Sequence, residues 1–277
     1  MIPPIASRFV AGESAASALE HAAELDEDGV GAILNLLGEH YESREEADAD
    51  TEAYLELVEH VASADVDGCV SVKPTQIGLG VSEAAFRENA ERVVAAAHER
   101  GVFVWFDMED HTTTDATLDA YEALATEYGN VGVCVQANLK RTPDDLERLA
   151  PLSGKVRLVK GAYDEPEGIA HESKAAVDAA YRDCLERMFR AFEGGVAVGS
   201  HDPAMIEYAA ELHGEHGTDY EVQMLMGVRE DAQRELARDV SVYQYVPYGA
   251  EWLSYFARRV AERRENLAFA VRAVLHG

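Results

Sequence analysis

Residues Cys69 to Phe106 read CVSVKPTQIGLGVSEAAFRENAERVVAAAHERGVFVWF. Two short β-rich runs, Cys69-Val-Ser-Val72 and Val102-Phe-Val-Trp-Phe106, flank a charge-rich stretch, Ser82 to Arg100, that has helical periodicity and length. Near-continuous apolar runs suit strands buried on both faces, the condition of a parallel sheet covered by helices. The same alternation continues in both directions. Upstream lies Gly31-Ala-Ile-Leu-Asn-Leu-Leu37. Downstream come Val131-Gly-Val-Cys-Val135, Val156-Arg-Leu-Val159, Gly195-Val-Ala-Val198, Tyr220-Glu-Val-Gln-Met-Leu225 and Val242-Tyr-Gln-Tyr-Val246, with Glu172 to Phe192 as another helical stretch. Roughly eight such units predict a closed α/β (β/α)8 TIM-type barrel. It is expected to fill residues 1–277 as a single domain. A doubly wound open sheet is the competing architecture, but no GxGxxG motif follows the first run.

The acidic segment Glu42 to Thr51 is expected to begin a helix. Ala250 to Leu275 reads as one or two helices after the last strand, carrying Arg258, Arg259, Arg263, Arg264 and Arg272. That tail is basic in a chain with 24 Lys plus Arg against 52 Asp plus Glu and a net charge of −28. Such a field repels nucleic acid and anionic membranes. The acids are spread over helical stretches rather than gathered in one tail, so they read as solvated faces, and adaptation to high salt is the expectation. Three cysteines, Cys69, Cys134 and Cys184, form no CxxC pair and read as buried reduced thiols in a cytoplasmic protein. No apolar run reaches the ~18 residues of a membrane span, so a soluble protein is expected.

In barrel enzymes the chemistry sits at the C-terminal ends of the strands. The polar residues there are Glu39, Lys73, Asp107 with Glu109, Gln136, Lys160, His201 with Asp202, Gln223 and Tyr245. A single one of these is more often a loop residue than a catalyst, but a set supplied by nearly every strand reads as a polar ligand site. Its buried charges would need to pair internally or await a charged ligand. On the last helix Arg258 follows Tyr255 by three residues, and Glu262 follows Arg258 by four and Arg259 by three, so Tyr, guanidinium and carboxylate can share a face. Two adjacent guanidinium groups can clamp a carboxylate. The alternative is that they neutralise acidic surface. Trp105 and Phe106 read as core.

At these residues the sequence resembles the proline dehydrogenase family, in its short monofunctional form. The pieces that carry the resemblance run from Arg8-Phe-Val-Ala-Gly12 to Asn266. They include Asn35-Leu-Leu-Gly-Glu39, Ser71-Val-Lys-Pro-Thr-Gln-Ile-Gly-Leu79, Asp107-Met-Glu-Asp-His111 and Val135-Gln-Ala-Asn-Leu-Lys-Arg-Thr142. Further along stand Arg157-Leu-Val-Lys-Gly-Ala-Tyr163, Ser200-His-Asp202, Glu221-Val-Gln-Met-Leu225, Gly227-Val-Arg229, Tyr245-Val-Pro-Tyr-Gly249 and Tyr255 to Glu262.

The resemblance implies FAD-dependent oxidation of L-proline to 1-pyrroline-5-carboxylate, by hydride transfer from proline C5 to flavin N5. It implies that Arg258 and Arg259 hold the proline carboxylate, that Lys73 reaches toward it with Asp107 beside it, and that Glu262 pairs with the arginines. Tyr163, Leu225, Tyr245 and Tyr255 would wall the ring, and Gln136, Arg157, Val159, Lys160, Gly161, Ser200, His201 and Gln223 would contact FAD, with no metal. Electrons would pass to a quinone-type acceptor, with transient contact to the inner face of the membrane left open, and the product to a separate pyrroline-5-carboxylate dehydrogenase. Asn138, where an aromatic residue is frequent, Ser200, where Thr is frequent, and Arg264, where Pro is common, depart from the family pattern. Asp164 stands where bifunctional members carry Trp. Two rival readings stay open: a flavin-free lyase or aldolase with Lys160 as a Schiff-base amine, and a barrel that only binds an amino acid.

Overall fold

In the computed structural model, which describes residues 2–3 and 6–257, strand and helix alternate from Ala15 to Tyr248. The elements are α1 (Ala15–Glu27), β1 (Gly31–Leu36), α2 (Arg44–Ser63), β2 (Gly68–Val72), α3 (Glu83–Arg100), β3 (Val104–Phe106), α4 (Thr114–Glu127) and β4 (Val131–Gln136). The second half repeats the pattern with α5 (Thr142–Leu149), β5 (Lys155–Val159), α6 (Lys174–Ala191), β6 (Val196–Gly199), α7 (Pro203–His216), β7 (Tyr220–Leu225), α8 (Glu230–Leu236) and β8 (Ser241–Tyr248). All neighbouring strands pair in parallel, and β1 pairs with β8, which closes the barrel. Seven helices, α2 to α8, cross over between successive strands, and with α1 ahead of β1 they make this the (β/α)8 barrel expected from the runs of apolar sequence.

Local chemistry sets the helix ends. Ser14, Ser43, Ser82, Ser173 and Asp202 each accept from a backbone N–H in the first turn of α1, α2, α3, α6 and α7, satisfying donors that would otherwise be orphaned. Gly101, at φ 71°, closes α3, and the Val102 N–H turns back to Ala97 O at 2.9 Å. For that reason the third strand begins at Val104 rather than at Val102, as the apolar run suggested. Conversely, β8 runs on to Tyr248, whose carbonyl accepts from Leu37 N–H at 2.8 Å.

Two cores result from the period-2 alternation of the strands. Outward residues such as Val70, Val133, Val156, Leu158, Val198 and Val222 pack under the helices with Phe86, Leu118, Tyr121 and Phe189. Inward residues Ile33, Cys69, Trp105 and Ala197, with Phe103, Tyr243 and Tyr245, fill the barrel itself. Cys69, Cys134 and Cys184 are all buried and unpaired, and Trp105 and Phe106 are both core residues, as read from the sequence. Above the mouth, residues 252–257 are helical. Tyr255 of this segment packs on Phe9, Val10 and Leu37. The segment before α1 forms a strap tied to the end of β8 through Ala11 N–H to Pro247 O and Gly249 N–H to Gly12 O, both 2.9 Å. No helix among the described residues is long and apolar enough to cross a membrane.

Candidate active site

The strand ends converge on a buried polar network inside the barrel. Arg157, on β5, is 4% exposed and donates to the Asp107 carboxylate just after β3. The other guanidinium arm donates to Gln223 Oε1 on β7 at 3.0 Å. Asp107 also accepts from Ser71 Oγ at 2.7 Å and from the Tyr245 hydroxyl at 2.6 Å. The guanidinium lies 5.0 Å from the Trp105 ring and 5.9 Å from that of Tyr245, within cation–π reach. Burial works against the charge on Arg157, but the neighbouring Cys134 sulfur and Asp107 outweigh it, so the guanidinium is held more firmly protonated than usual. Burial, followed by the Asp107 charge, pushes the Tyr245 phenol far above its ordinary range, so it stays a hydrogen-bond donor.

A second cluster sits where β5 and β6 end. Lys160 Nζ lies 2.5 Å from Asp178 Oδ1 and 2.8 Å from Asp202 Oδ2. Partial burial disfavours its charge, yet the two carboxylates overcome this and raise its pKa. Asp202 is held below the usual carboxylate range, first by the hydrogen bond from Lys160. His201 Nε2 accepts from Leu225 N–H at 3.3 Å, which puts the proton of a neutral imidazole on Nδ1. Gln136, the last residue of β4, donates to Glu109 O at 2.9 Å. Asn138 packs against Gly161 so closely that a Cβ there would lie 2.2 Å from the Asn138 Oδ1.

The third cluster lines a hollow of about 250 Å³ between the β1 and β2 ends and the helical segment above them, bordered by Glu39, Tyr41, Lys73, Glu251 and Tyr255. Lys73 is 7% exposed, with Glu39 Oε2 3.9 Å from its ammonium. Nearby Glu109 is fully buried, and accepts from Thr75 N–H at 2.8 Å and Thr75 Oγ1 at 2.6 Å. Burial nevertheless raises its pKa above the usual 4.5. A larger, shallower hollow of about 730 Å³ lies at the opposite end of the barrel, near Pro151 and Gly194.

Most of the residues singled out from the sequence therefore meet at one end of the barrel, with differences in detail. Gln223 and Tyr245 are not strand-end residues; they lie within β7 and β8 and face inward. Asp107 and Lys73 follow the paired residues Phe106 and Val72 on neighbouring strands, and the Asp107 carboxylate binds Arg157 and Tyr245 while the Lys73 ammonium lies 3.9 Å from Glu39 Oε2. Val159 ends β5, Tyr163 is half-buried in the loop that follows, and Ser200 is 6% exposed after β6. Arg258, Arg259, Glu262 and Arg264 lie outside the described residues.

Sequence reasoning missed Ser71, Glu221 and Asp178. Ser71 shares strand parity with Lys73, and Glu221 with Gln223 and Leu225, a signal that could have found them. Asp178 is on α6, and nothing local marks it as the partner of Lys160. The link between His111 Nδ1 and buried Glu165 at 2.6 Å, which ties the loop after β3 to the loop after β5, was equally invisible.

A family model described as Proline dehydrogenase matches residues 18–272 of the chain. The chain belongs to the proline dehydrogenase family. It is 38% identical over 284 residues to the proline dehydrogenase of Deinococcus radiodurans, a match covering 99% of this chain and 91% of that protein. It is 34% identical over 275 residues to proline dehydrogenase 1 of Bacillus subtilis, covering 98% and 90%. Among solved structures, proline utilization A from Bdellovibrio bacteriovorus, inactivated by N-propargylglycine, superposes with a TM-score of 0.85 at 24% identity. That match covers 92% of this chain but 32% of the other, and it bears on the fold alone.

Proposed function

We propose that this chain oxidises L-proline to 1-pyrroline-5-carboxylate as the first step of proline catabolism, with FAD as its cofactor. The observation that carries the reading is the family match over residues 18–272. The residues present also fit a flavin. Asn138 Oδ1 is buried with no hydrogen-bond partner among the described residues, between strand ends that also supply Gln136, Arg157 and Lys160. An orphaned acceptor there suits the N–H of a planar heterocycle. Gln136, Arg157, Val159, Lys160, Gly161, Ser200, His201 and Gln223 would hold the cofactor, whose flavin ring supplies a hydride acceptor for proline C5.

The remaining work falls to the chain's own side chains. Lys73 offers an ammonium to the substrate carboxylate, and Arg258 and Arg259, with Glu262 as their counter-charge, would clamp it. Tyr245, anchored by Asp107, and Tyr163, Leu225 and Tyr255 would wall the pyrrolidine ring and exclude water. Anchoring the carboxylate at one end fixes where C5 lies at the other. Electrons would leave for a quinone-type acceptor, and the product for a separate dehydrogenase. The Schiff-base alternative needs a neutral amine, and Lys160 instead sits between two carboxylates that favour the ammonium.

An anaerobic absorbance spectrum tests the reading. The expected outcome is a flavin band near ~450 nm that L-proline bleaches; a band indifferent to proline, or none after FAD reconstitution, overturns it.

A further inference from the structure

Below the site, in the lower half of the barrel, lies a charged group that the proposed reaction leaves unused. Glu221 is 6% exposed on β7, two residues before Gln223. One of its carboxylate oxygens accepts from Gln223 Nε2 at 2.6 Å, the other from Lys155 Nζ at 2.5 Å. Lys155 opens β5, two residues before Arg157, and its side chain is 36% exposed. A chain of alternating charge thus climbs the barrel interior from Lys155 through Glu221, Gln223 and Arg157 to Asp107.

The middle link is directional. A side-chain amide has a donor end and an acceptor end, and which end faces which neighbour is set by the surrounding network. A carboxylate only accepts, so Glu221 claims Gln223 Nε2. That leaves Gln223 Oε1 facing the Arg157 guanidinium, 3.0 Å away. Were the amide to turn over, its NH2 would meet another donor, and Arg157 would keep Asp107 but lose its second anchor. We propose that Glu221 is a positioning residue: through the Gln223 amide it aims Arg157, and Lys155 holds Glu221 in its accepting role. The part of this that concerns turnover rests on the function proposed above.

Two charge-neutral pairs test it without burying an unpaired charge. In K155M/E221Q the amide at 221, with Lys155 gone, still has one acceptor for Gln223 Nε2. In K155M/E221M it has none. Trp105 stacks on Arg157 and, in a W252F background, is the sole tryptophan, since the chain contains two. Its emission in the FAD-free protein therefore reports where the guanidinium lies.

The expected result is that K155M/E221Q keeps the parent emission and the parent rate of flavin bleaching by saturating L-proline. K155M/E221M should shift the emission maximum and slow bleaching about tenfold, the loss expected for one hydrogen-bonded anchor, with a much smaller change in KM. Identical emission from both pairs overturns the positioning role, as does a shift shared equally by both. If proline fails to bleach the parent protein, the proposed function falls, while the emission of the FAD-free variants still decides whether Glu221 aims Arg157.

Discussion

Arg157 of β5 and Asp107 of the β3 end form an ion pair across the barrel interior, their side chains 5% and 13% exposed, with the Tyr245 hydroxyl bound to the second carboxylate oxygen at 2.6 Å. Removing one partner strands the other as a buried charge. Asp107→Asn should therefore cost about 3–5 kcal/mol in urea denaturation. The double substitution Asp107→Leu/Arg157→Met, which removes both charges, should be less destabilised than Asp107→Asn. Equal losses would mean that the cost lies in packing and not in charge.

Glu109 makes stability depend on pH in a defined direction. Burial raises its pKa above 4.5, so the folded protein holds this proton to higher pH than the unfolded chain does. Its contribution is full below 4.5, where both states are protonated. It is lost as pH rises, because the unfolded state releases its proton first. Urea midpoints for wild type and Glu109→Gln, measured from pH 4 to 8, should diverge accordingly: the wild type should lose stability relative to the variant as pH climbs, until folded Glu109 also ionises.

Lys160, gripped by Asp178 and Asp202, should form no imine at neutral pH. Incubation with small ketones or aldehydes followed by borohydride is expected to leave the intact mass unchanged at this residue. A trapped adduct on Lys160, found by peptide mapping, would restore the aldolase reading.

Gly227 meets the strap that precedes α1. Its φ is 77°, and a Cβ placed on it would lie 2.1 Å from Arg8 O. Gly227→Ala should cost about 1–2 kcal/mol from the left-handed backbone alone and should also push the strap away. A lower Tm together with faster proteolysis around residues 6–12 is the expected signature.

The net charge of −28 leaves more acids than the 24 basic residues can pair. Added KCl screens their mutual repulsion and, at the same time, weakens surface pairs such as Arg100–Glu59 and Arg148–Asp119. Those pairs contribute little individually, so the unpaired excess should dominate and Tm should rise between 0.1 M and 1 M KCl. A Tm that falls over this range would contradict the expectation of salt adaptation.

The barrel was legible from Cys69 to Phe106 and its repeats because strand and helix differ in hydrophobic period, and period is written in the chain. The ends were less so: Val102 belongs to the α3 cap because Gly101 turns the backbone, a competition between a helix end and a strand start that an apolar run does not resolve. At the site, the period-2 alternation along β5 and β7 sets Arg157 and Gln223 on the face opposite the outward Leu158 and Val222, a signal that reading only the strand ends passed over. The sequence by itself thus determined the architecture, and most of the polar residues that gather at the mouth of the barrel.

Partnership was decided only by tertiary structure. Asp107 is 50 residues from Arg157 and 138 from Tyr245, and Lys160 takes its counter-charges from positions 18 and 42 residues away, on a helix and on the next strand's loop. No local rule selects Asp107 over Glu109 as the neighbour of Arg157, or Asp178 over the many other acids. Those pairings follow from the register and curvature with which the sheet closes on itself, and from the cost of leaving any buried charge without a partner.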